Sequence, residues 1–509
     1  MTQEQRLHLD NQACYAAFKA HDSRFDGHLF VGVSSTGIYC RPICRAKAAK
    51  EENCNFFISA AAAEAAGFRP CRRCRPELAP GLSISDSASR IAQGAAIIME
   101  ENCLTDLKIS DLAGMLNITS RHLRRVFSAQ FGVSPVQYLQ SRRLLLAKCL
   151  LADTNLSITE VALSAGFGSI RRFNDLFKKY YKSTPSKFRS SGKVNSANKE
   201  TITLTLGYRP PYAWEELVDF LADRAIPGVE YVKDGVYRRT VAMKSGSSTY
   251  YGWISVANKP EKNSLAVTLS CSLLPVLPKV LARIRCLFDI NCNPDEIYRK
   301  LSIMNELRPN LCIPGLRLPG SFDPFEMSVR AILGQQVTVK AARTLAMRFA
   351  DAFGEKISTP FDELHCSFPS PEIIYRLELP IENQLGPLGI IGARARSIFA
   401  LAEALVTDTI HFNPGANPEL ETEKLLQLPG FGPWTVQYVG MRALNWPDAF
   451  PHTDFGVKKA LTGLMPKEIL DVSQAWRPWR SYATINLWNS LKEEKVNHTK
   501  LPGNALCSL

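Results

Sequence analysis

The sequence predicts a multidomain α+β protein. It comprises a small domain built around four cysteines, an all-α double helix-turn-helix, and a larger C-terminal part that begins as a small α/β subdomain and turns helical. Three observations carry this. Two close cysteine pairs, in "GIYCRPICRAK" (37–47) and "GFRPCRRCRPE" (67–77), lie in one short segment. A helical pattern recurs at an offset of 49 residues, "ISDLAGMLNITSRHLRRVF" (109–127) against "ITEVALSAGFGSIRRFNDL" (158–176). From 201 onward strand-like alternation gives way to helical periodicity.

The chain has 509 residues, room for about three domains. It is 46% hydrophobic and 21% charged, which excludes a disordered chain. The net charge of +13 and pI of 9.1 point to a polyanionic partner, nucleic acid ahead of membrane. Charge alone also fits a merely basic protein. The polar start "MTQEQRLHLD" and the lack of any apolar run of spanning length predict a cytoplasmic protein with no membrane partner. Fourteen cysteines in such a chain read as free thiols, metal ligands or nucleophiles.

Residues 1–80 hold the cysteine pattern: Cys40-x3-Cys44, 26 residues, then Cys71-x2-Cys74. Two close pairs separated by a loop are what a tetrahedral four-thiolate zinc site needs, so zinc is the expected cofactor. Such sites are most often scaffold. The alternative is chemistry, because a zinc ion with four thiolates keeps its sulfurs electron-rich. Arg41, Arg45, Arg69, Arg72, Arg73 and Arg75 crowd the pairs and are expected to draw DNA phosphate to them.

Residues 83–190 carry the repeat. Each copy reads as a short helix, a tight turn and a second helix, with Ser120 placed opposite Ser169. Thr119, Ser120 and Ser169 are N-cap candidates. A second helix of this kind enters the DNA major groove. The residues placed to contact DNA are Arg121, Arg124 and Arg125 with His122 in one copy, and Arg171, Arg172 and Asn174 in the other. The bland reading is a helical bundle with a basic surface. "FGVSPVQYLQSRR" and "ALSAGFGSIRRFNDLFKKYYKSTPSKFR" resemble the AraC/XylS family of DNA-binding domains over about a hundred residues. The resemblance implies that "PVQYLQSRRLLLAKCLL" (135–151) is the helix joining the two units.

The segment 25–77 is similar to the N-terminal domain of the Ada alkylation-response proteins. That resemblance implies Cys40, Cys44, Cys71 and Cys74 as zinc ligands, with Cys40 also the acceptor of a methyl group from a DNA methylphosphotriester. It further implies a methylated form that activates transcription, so that promoter DNA and RNA polymerase are expected partners. Cys54 lies between the pairs and falls outside the family's four ligands. Full Ada proteins also carry a Pro-Cys-His-Arg active-site motif in an alkylguanine methyltransferase domain. No such motif occurs here, so repair of O6-alkylguanine is not expected.

"SSGKVNSANKE" (190–200) is small and polar, and 191–200 is the expected linker. Beyond it, "LPGFGPW" sets Gly430 and Gly432 in a tight turn between helical patterns. The N–H groups at the start of the next helix could meet a DNA phosphate there. By itself the turn fits an ordinary helix–helix connection equally well. In "FPHTDFGVKK", Asp454 follows a proline-marked loop at a helix start. A carboxylate so placed can cap the helix, or face the oxocarbenium-like sugar of a breaking glycosidic bond, or do both.

From about 202 to 493 the chain resembles the helix-hairpin-helix glycosylase superfamily, and AlkA-type 3-methyladenine DNA glycosylases II in particular. The matching stretches are "LGYRPPYAWEELVDFLADRAIPGVE", "RPNLCIPGLRLPGSFDPFEMSVRAILGQQVTV", "LPGFGPWTVQYVGMRALNW" and "WRPWRSYATINLW". The resemblance implies a small α/β subdomain over 201–285 and a helical helix-hairpin-helix domain over 286–495. Asp454 is then the catalytic aspartate, and Trp434, Tyr438 and Trp488 line a base pocket suited to cationic alkylated purines. Trp479 is equally well a core residue. Trp434 stands where bifunctional relatives place a lysine nucleophile, which implies a water-using enzyme without strand cleavage. Gln335 and Gln336 replace the family's Gln-Leu pair at the wedge that fills the gap left by a flipped base.

The expected function is hydrolytic excision of alkylated purines from double-stranded DNA, combined with zinc–cysteine methylphosphotriester sensing and transcriptional regulation by a monomeric chain. The alternative is a methylation-switched transcription activator with little or no glycosylase activity.

Overall fold

The computed structural model describes residues 11–79, 90–189 and 200–499, apart from positions 106, 117 and 414. The expected linker, save residue 200, lies outside the described residues.

Four short strands, β1 (Phe30–Val33), β2 (Ile38–Cys40), β3 (Cys54–Phe57) and β4 (Arg69–Pro70), form a sheet in the order β3-β1-β2-β4. β1 is antiparallel to β2 and β3, whereas β2 pairs with β4 in parallel. That parallel pair sets Tyr39 opposite Pro70, and the Cys71 N–H donates to Tyr39 O at 2.9 Å. The two cysteine pairs, far apart in sequence, meet at this strand end.

The helical repeat is present, with one correction to its register. The first helices, Ile109–Met115 and Ile158–Ser164, are offset by 49 residues as read from the sequence. The second helices, Ser120–Phe131 and Ile170–Tyr181, are offset by 50. The N-caps are Thr119 and Ser169, so Thr119 and not Ser120 matches Ser169. The turn gains one residue in the second copy, and core spacing then follows the new register: Leu123, Phe127 and Phe131 correspond to Phe173, Phe177 and Tyr181, all buried. Gly132 and Lys182 close the two helices in the left-handed region, again 50 apart. The helix Pro135–Asp153 joins the units, opened by a Ser134–Gln137 capping box.

The cysteine domain packs on this joining helix through buried polar groups. Glu64 accepts hydrogen bonds from Tyr39 (3.0 Å) and Ser141, and Lys148 pairs with Glu77. Burial pushes the Glu64 carboxyl up to about 7.

The C-terminal half opens with a five-stranded antiparallel sheet: β5 (Thr201–Gly207), β6 (Glu230–Lys233), β7 (Val236–Ser245), β8 (Ser248–Lys259) and β9 (Ser264–Ser270), in the order β5-β9-β8-β7-β6. Helices and loops follow over the remaining described residues, the last helix being Arg480–Thr499. A buried charge network fastens the sheet to the helix Pro324–Leu333, with Arg239 to Glu326 at 2.7 Å and Arg330 to Glu230 at 2.6 Å. Removing one member would strand a buried charge, so the network locks the two parts in one arrangement. Among the described residues no helix is long and apolar enough to cross a membrane.

Candidate active site and zinc centre

The sulfur atoms of Cys40, Cys44, Cys71 and Cys74 all lie within 4.8 Å of one another. Zinc–sulfur bonds of ~2.3 Å in a tetrahedron put sulfurs about 3.8 Å apart, so the cluster closes on zinc with little movement. The donor set fits as well. Hydrogen bonding to Cys40 pulls the Cys44 thiol down to about 7 and lowers Cys71, while Cys40 is raised in return. Four crowded sulfurs cannot share negative charge easily, and a divalent cation removes that conflict. Backbone N–H groups support some of the sulfurs: Arg41 donates to Cys74 and Arg73 to Cys71, each at 3.3 Å. Cys54 stands apart in β3, its thiol donating to Lys50 O.

The six arginines around the cluster do not form one phosphate-facing surface as expected. Arg41 is buried in an ion pair with Asp26 and reaches Cys74 O at 3.1 Å. Arg75 is held by Asp153 (2.7 Å) and Glu77 (2.9 Å). Both are committed to packing, because a buried guanidinium needs its carboxylates. Arg45, Arg69, Arg72 and Arg73 remain exposed, Arg72 lying over the Phe188 ring.

In the repeat, Arg121, Arg124, Arg125, Arg171 and Arg172 are exposed, and His122 and Asn174 are half-buried. The corrected register pairs Arg121 with Arg171 and Arg124 with Asn174. Arg125 contacts His122 Nδ1 at 3.1 Å.

The second site gathers on four elements. Asp454 is the N-cap of the helix Phe455–Ala460, its Oδ1 accepting from Gly456 N at 2.8 Å and Val457 N at 3.1 Å. Two indoles complete the shell. Trp488 Nε1 donates to Oδ1 and Trp434 Nε1 to Oδ2, both at 2.8 Å. Oδ1 takes three N–H groups and Oδ2 one, which leaves one lone-pair direction of Oδ2 open. Asp454 is thus helix cap and site carboxylate together. Gly456 allows the arrangement: a Cβ there would lie 2.7 Å from Trp488 Cδ1 and 3.0 Å from Asp454 Oδ1.

The rings form a continuous wall. Trp434 stacks on Tyr438 (centroids 5.3 Å, 24°), Tyr438 leans on Trp488 (6.1 Å), and Trp488 stacks on Phe220 (6.1 Å, 10°). Phe220 was not anticipated from the sequence. It belongs to the amphipathic helix Trp214–Arg224, where an aromatic residue reads as core. Trp479, only 2% exposed, is core. The arginines beside the wall also went unread. Arg442 lies over Phe220 (4.8 Å) and Tyr438 (5.8 Å) and donates to Tyr438 Oη at 3.0 Å, while Arg224 lies over Phe220 at 3.8 Å. Burial lowers Arg442 to about 10. Guanidinium groups thus already engage Phe220 and Tyr438, and the two indoles carry most of the attraction left for a cationic ring.

The hairpin lies between the helices Pro418–Leu426 and Pro433–Arg442. Gly430 is required in its turn, with φ of +77° and a Cβ position 2.1 Å from Ser397 Oγ. Gly432 caps the second helix and faces open space. Gln335 donates to Gly430 O and Thr435 Oγ1, both at 2.9 Å, so it fastens the hairpin to its neighbouring loop. Gln336 is exposed, with φ of +54°.

Four family descriptions match along the chain. They are "Metal binding domain of Ada" over residues 13–77, "Helix-turn-helix domain" over 112–191, "AlkA N-terminal domain" over 203–323, and "HhH-GPD superfamily base excision DNA repair protein" over 329–466. The chain is 36% identical over 500 residues to a probable bifunctional transcriptional activator/DNA repair enzyme AlkA of Mycobacterium tuberculosis (strain ATCC 25618 / H37Rv). That alignment covers 96% of this chain and 98% of the relative. It is 36% identical over 284 residues to the DNA-3-methyladenine glycosylase 2 of Escherichia coli (strain K12), covering 56% of this chain and 96% of that one. It is also 36% identical over 148 residues to the bifunctional transcriptional activator/DNA repair enzyme Ada of the same strain, covering 29% of this chain and 40% of that one. With an Ada-type zinc domain and a helix-turn-helix domain joined to an AlkA-type glycosylase, the chain belongs to the family of bifunctional transcriptional activator/DNA repair enzymes of the AlkA type.

Proposed function

We propose that the chain excises alkylated purines of the 3-methyladenine type from double-stranded DNA by hydrolysis, with Asp454 as the catalytic carboxylate. The observation that carries the reading is a carboxylate fixed by two indole N–H groups and a helix N-terminus beside an aromatic wall. The purine is recognised on the faces of Trp434 and Trp488, with Tyr438 behind them. The C1′–N bond breaks, water oxygen bonds C1′ and releases one proton to Asp454 Oδ2 and on to solvent, and the departing electron pair neutralises the cationic base. Oδ1 is saturated by three N–H donors, whereas Oδ2 accepts only one and keeps a lone-pair direction free. Asp454 acts chiefly as a fixed negative charge facing the oxocarbenium-like sugar, and the free lone pair of Oδ2 is where it can take a proton from water. Gln335 holds the hairpin in position, Gln336 fills the gap left by the flipped base, and the backbone at Gly430 and Gly432 meets DNA phosphate.

The N-terminal half senses the same class of damage in this reading. Zinc bound by Cys40, Cys44, Cys71 and Cys74 keeps the sulfurs as thiolates. Cys40 takes the methyl group: its sulfur bonds the methyl carbon, the methyl–oxygen bond of the phosphotriester breaks, and a phosphodiester anion leaves. N–H···S bonds temper the Cys71 and Cys74 sulfurs, and a backbone hydrogen bond from Ala46 does the same for Cys44, which supports Cys40 as the nucleophile. The helices carrying Arg121, Arg124 and Arg125, and Arg171, Arg172 and Asn174, read promoter DNA. The chain then works as a cytoplasmic monomer with RNA polymerase as its further partner.

Incubating the full chain with methylated DNA tests both halves, by scoring released bases and mapping added methyl groups by mass spectrometry. Released 3-methyladenine with a methyl on Cys40 is expected. No released base, or a methyl on another cysteine, rejects the corresponding half.

A further inference from the structure

Outside both sites, Asp351, His365 and Cys366 bring a carboxylate, an imidazole and a thiol together, with ligand atoms all within 4.8 Å. His365 Nε2 lies 3.1 Å and Cys366 Sγ 3.6 Å from the same oxygen, Asp351 Oδ1. Bonds of ~2.0–2.3 Å to one tetrahedral ion place neighbouring ligand atoms about 3.3–3.8 Å apart, so these separations are nearly those of a coordinated set.

The backbone is shaped for this convergence. His365 and Cys366 are consecutive, and in a regular strand their side chains would point to opposite faces. Instead both backbone N–H groups donate to one carbonyl, Gly228 O, at 2.9 and 3.1 Å. Two successive N–H groups converging on one carbonyl bend the chain here, outside any regular strand, and so re-aim both side chains. Gly228 has φ of +87°, and a Cβ there would fall 2.9 Å from His365 Nε2 and 3.1 Å from Cys366 Sγ. Only glycine leaves that cradle open. Cys366 is fully buried, whereas the His365 and Asp351 side chains are about half-exposed. One thiolate, one imidazole and one carboxylate, with a side open to water, is a donor set for a borderline divalent metal.

We propose that Asp351, His365 and Cys366 form a second zinc site, three protein ligands with water completing the shell. Binding displaces the Cys366 thiol proton to solvent and frees Lys356 Nζ, now 3.6 Å from Asp351 Oδ1. The site staples the end of the helix Val339–Phe353 to the segment holding His365 and Cys366, which itself hydrogen-bonds to Gly228.

Elemental analysis of the full chain, dialysed against buffered zinc, tests this. Wild type is expected to hold two zinc ions per chain, and His365→Gln and Asp351→Asn one each. Both substitutions are at exposed side chains, so folding is not at stake. One zinc in wild type, if it is insensitive to His365→Gln, overturns the proposal, as does a second zinc that persists in either variant. If the four-cysteine centre were the one failing to load, the single remaining zinc would be lost in His365→Gln. With cobalt(II) as the probe, wild type minus Cys366→Ser should show a thiolate-to-cobalt charge-transfer band. Identical spectra overturn the proposal.

Discussion

Replacing Asp454 by asparagine separates the two jobs its carboxylate holds. Oδ1 accepts from Gly456 N, Val457 N and Trp488 Nε1, and an asparagine oxygen can keep all three. Asparagine is also as good an N-cap as aspartate, so the helix Phe455–Ala460 should stay in place. The other position changes sign. The amide NH2 would face Trp434 Nε1 across 2.8 Å, donor against donor, at a cost of about 1–3 kcal/mol unless the indole turns. Stability should therefore fall only modestly. Catalysis should fall far more. A unit negative charge ~4 Å from a developing cation, at an effective dielectric of ~20, contributes roughly 4 kcal/mol. That corresponds to about 10³-fold in rate. Single-turnover release of 3-methyladenine, alongside DNA affinity, measures both effects. Release within about tenfold of wild type, with affinity retained, would refute the charge argument. Equal loss of rate and affinity would instead point to a collapsed pocket.

Gly456→Ala should push the Trp488 indole off Asp454, since the new Cβ would lie 2.7 Å from its ring, and slow base release on the order of tenfold or more while leaving the helix folded. Circular dichroism and single-turnover rates check it, and an unchanged rate argues against a positioned indole. Chelation of zinc should unfold residues 11–79 selectively, seen as lost amide-exchange protection there with the glycosylase half still cooperative. Glu64 makes the contact between the cysteine domain and the joining helix pH-dependent. Its folded value, about 7, lies above the ordinary carboxylate value of 4.5, so the folded state binds the extra proton. Stability is full below about pH 4.5 and falls as pH rises through about 7, by up to about 3 kcal/mol. Glu64→Gln should flatten that slope in denaturant titrations, and an unaltered slope would place the proton elsewhere.

Much of the architecture was legible because it rests on local signals. Capping residues, the proline at position 135 and the apolar spacing in each helical unit announce helices without reference to distant parts of the chain. The register of the repeat was not fully legible. One inserted residue in a turn leaves both copies looking alike in composition while shifting every side chain on the second helix by one position. The buried triplets, Leu123-Phe127-Phe131 against Phe173-Phe177-Tyr181, and the caps of the two helices reveal it. The arginines near the cysteines misled for a related reason. A guanidinium reads the same in sequence whether it faces water or, like Arg41, is buried against a carboxylate fifteen positions away.

The sequence by itself determined which chemistry is present: four thiols at metal spacing, a carboxylate at a helix start, a glycine hairpin and three aromatic residues. These are matters of residue type and short spacing. The tertiary structure decided which groups touch. The parallel pairing of β2 with β4 brings Cys40 and Cys44 to Cys71 and Cys74. Packing of the Trp214–Arg224 helix brings Phe220 onto Trp488 across more than two hundred residues of chain. Both indoles reach the Asp454 carboxylate from separate helices. The same holds at Asp351, His365 and Cys366, where two N–H groups meeting one glycine carbonyl bring separate donors into a set. Long-range contacts of this kind depend on how whole faces pack, which no short window of residues encodes.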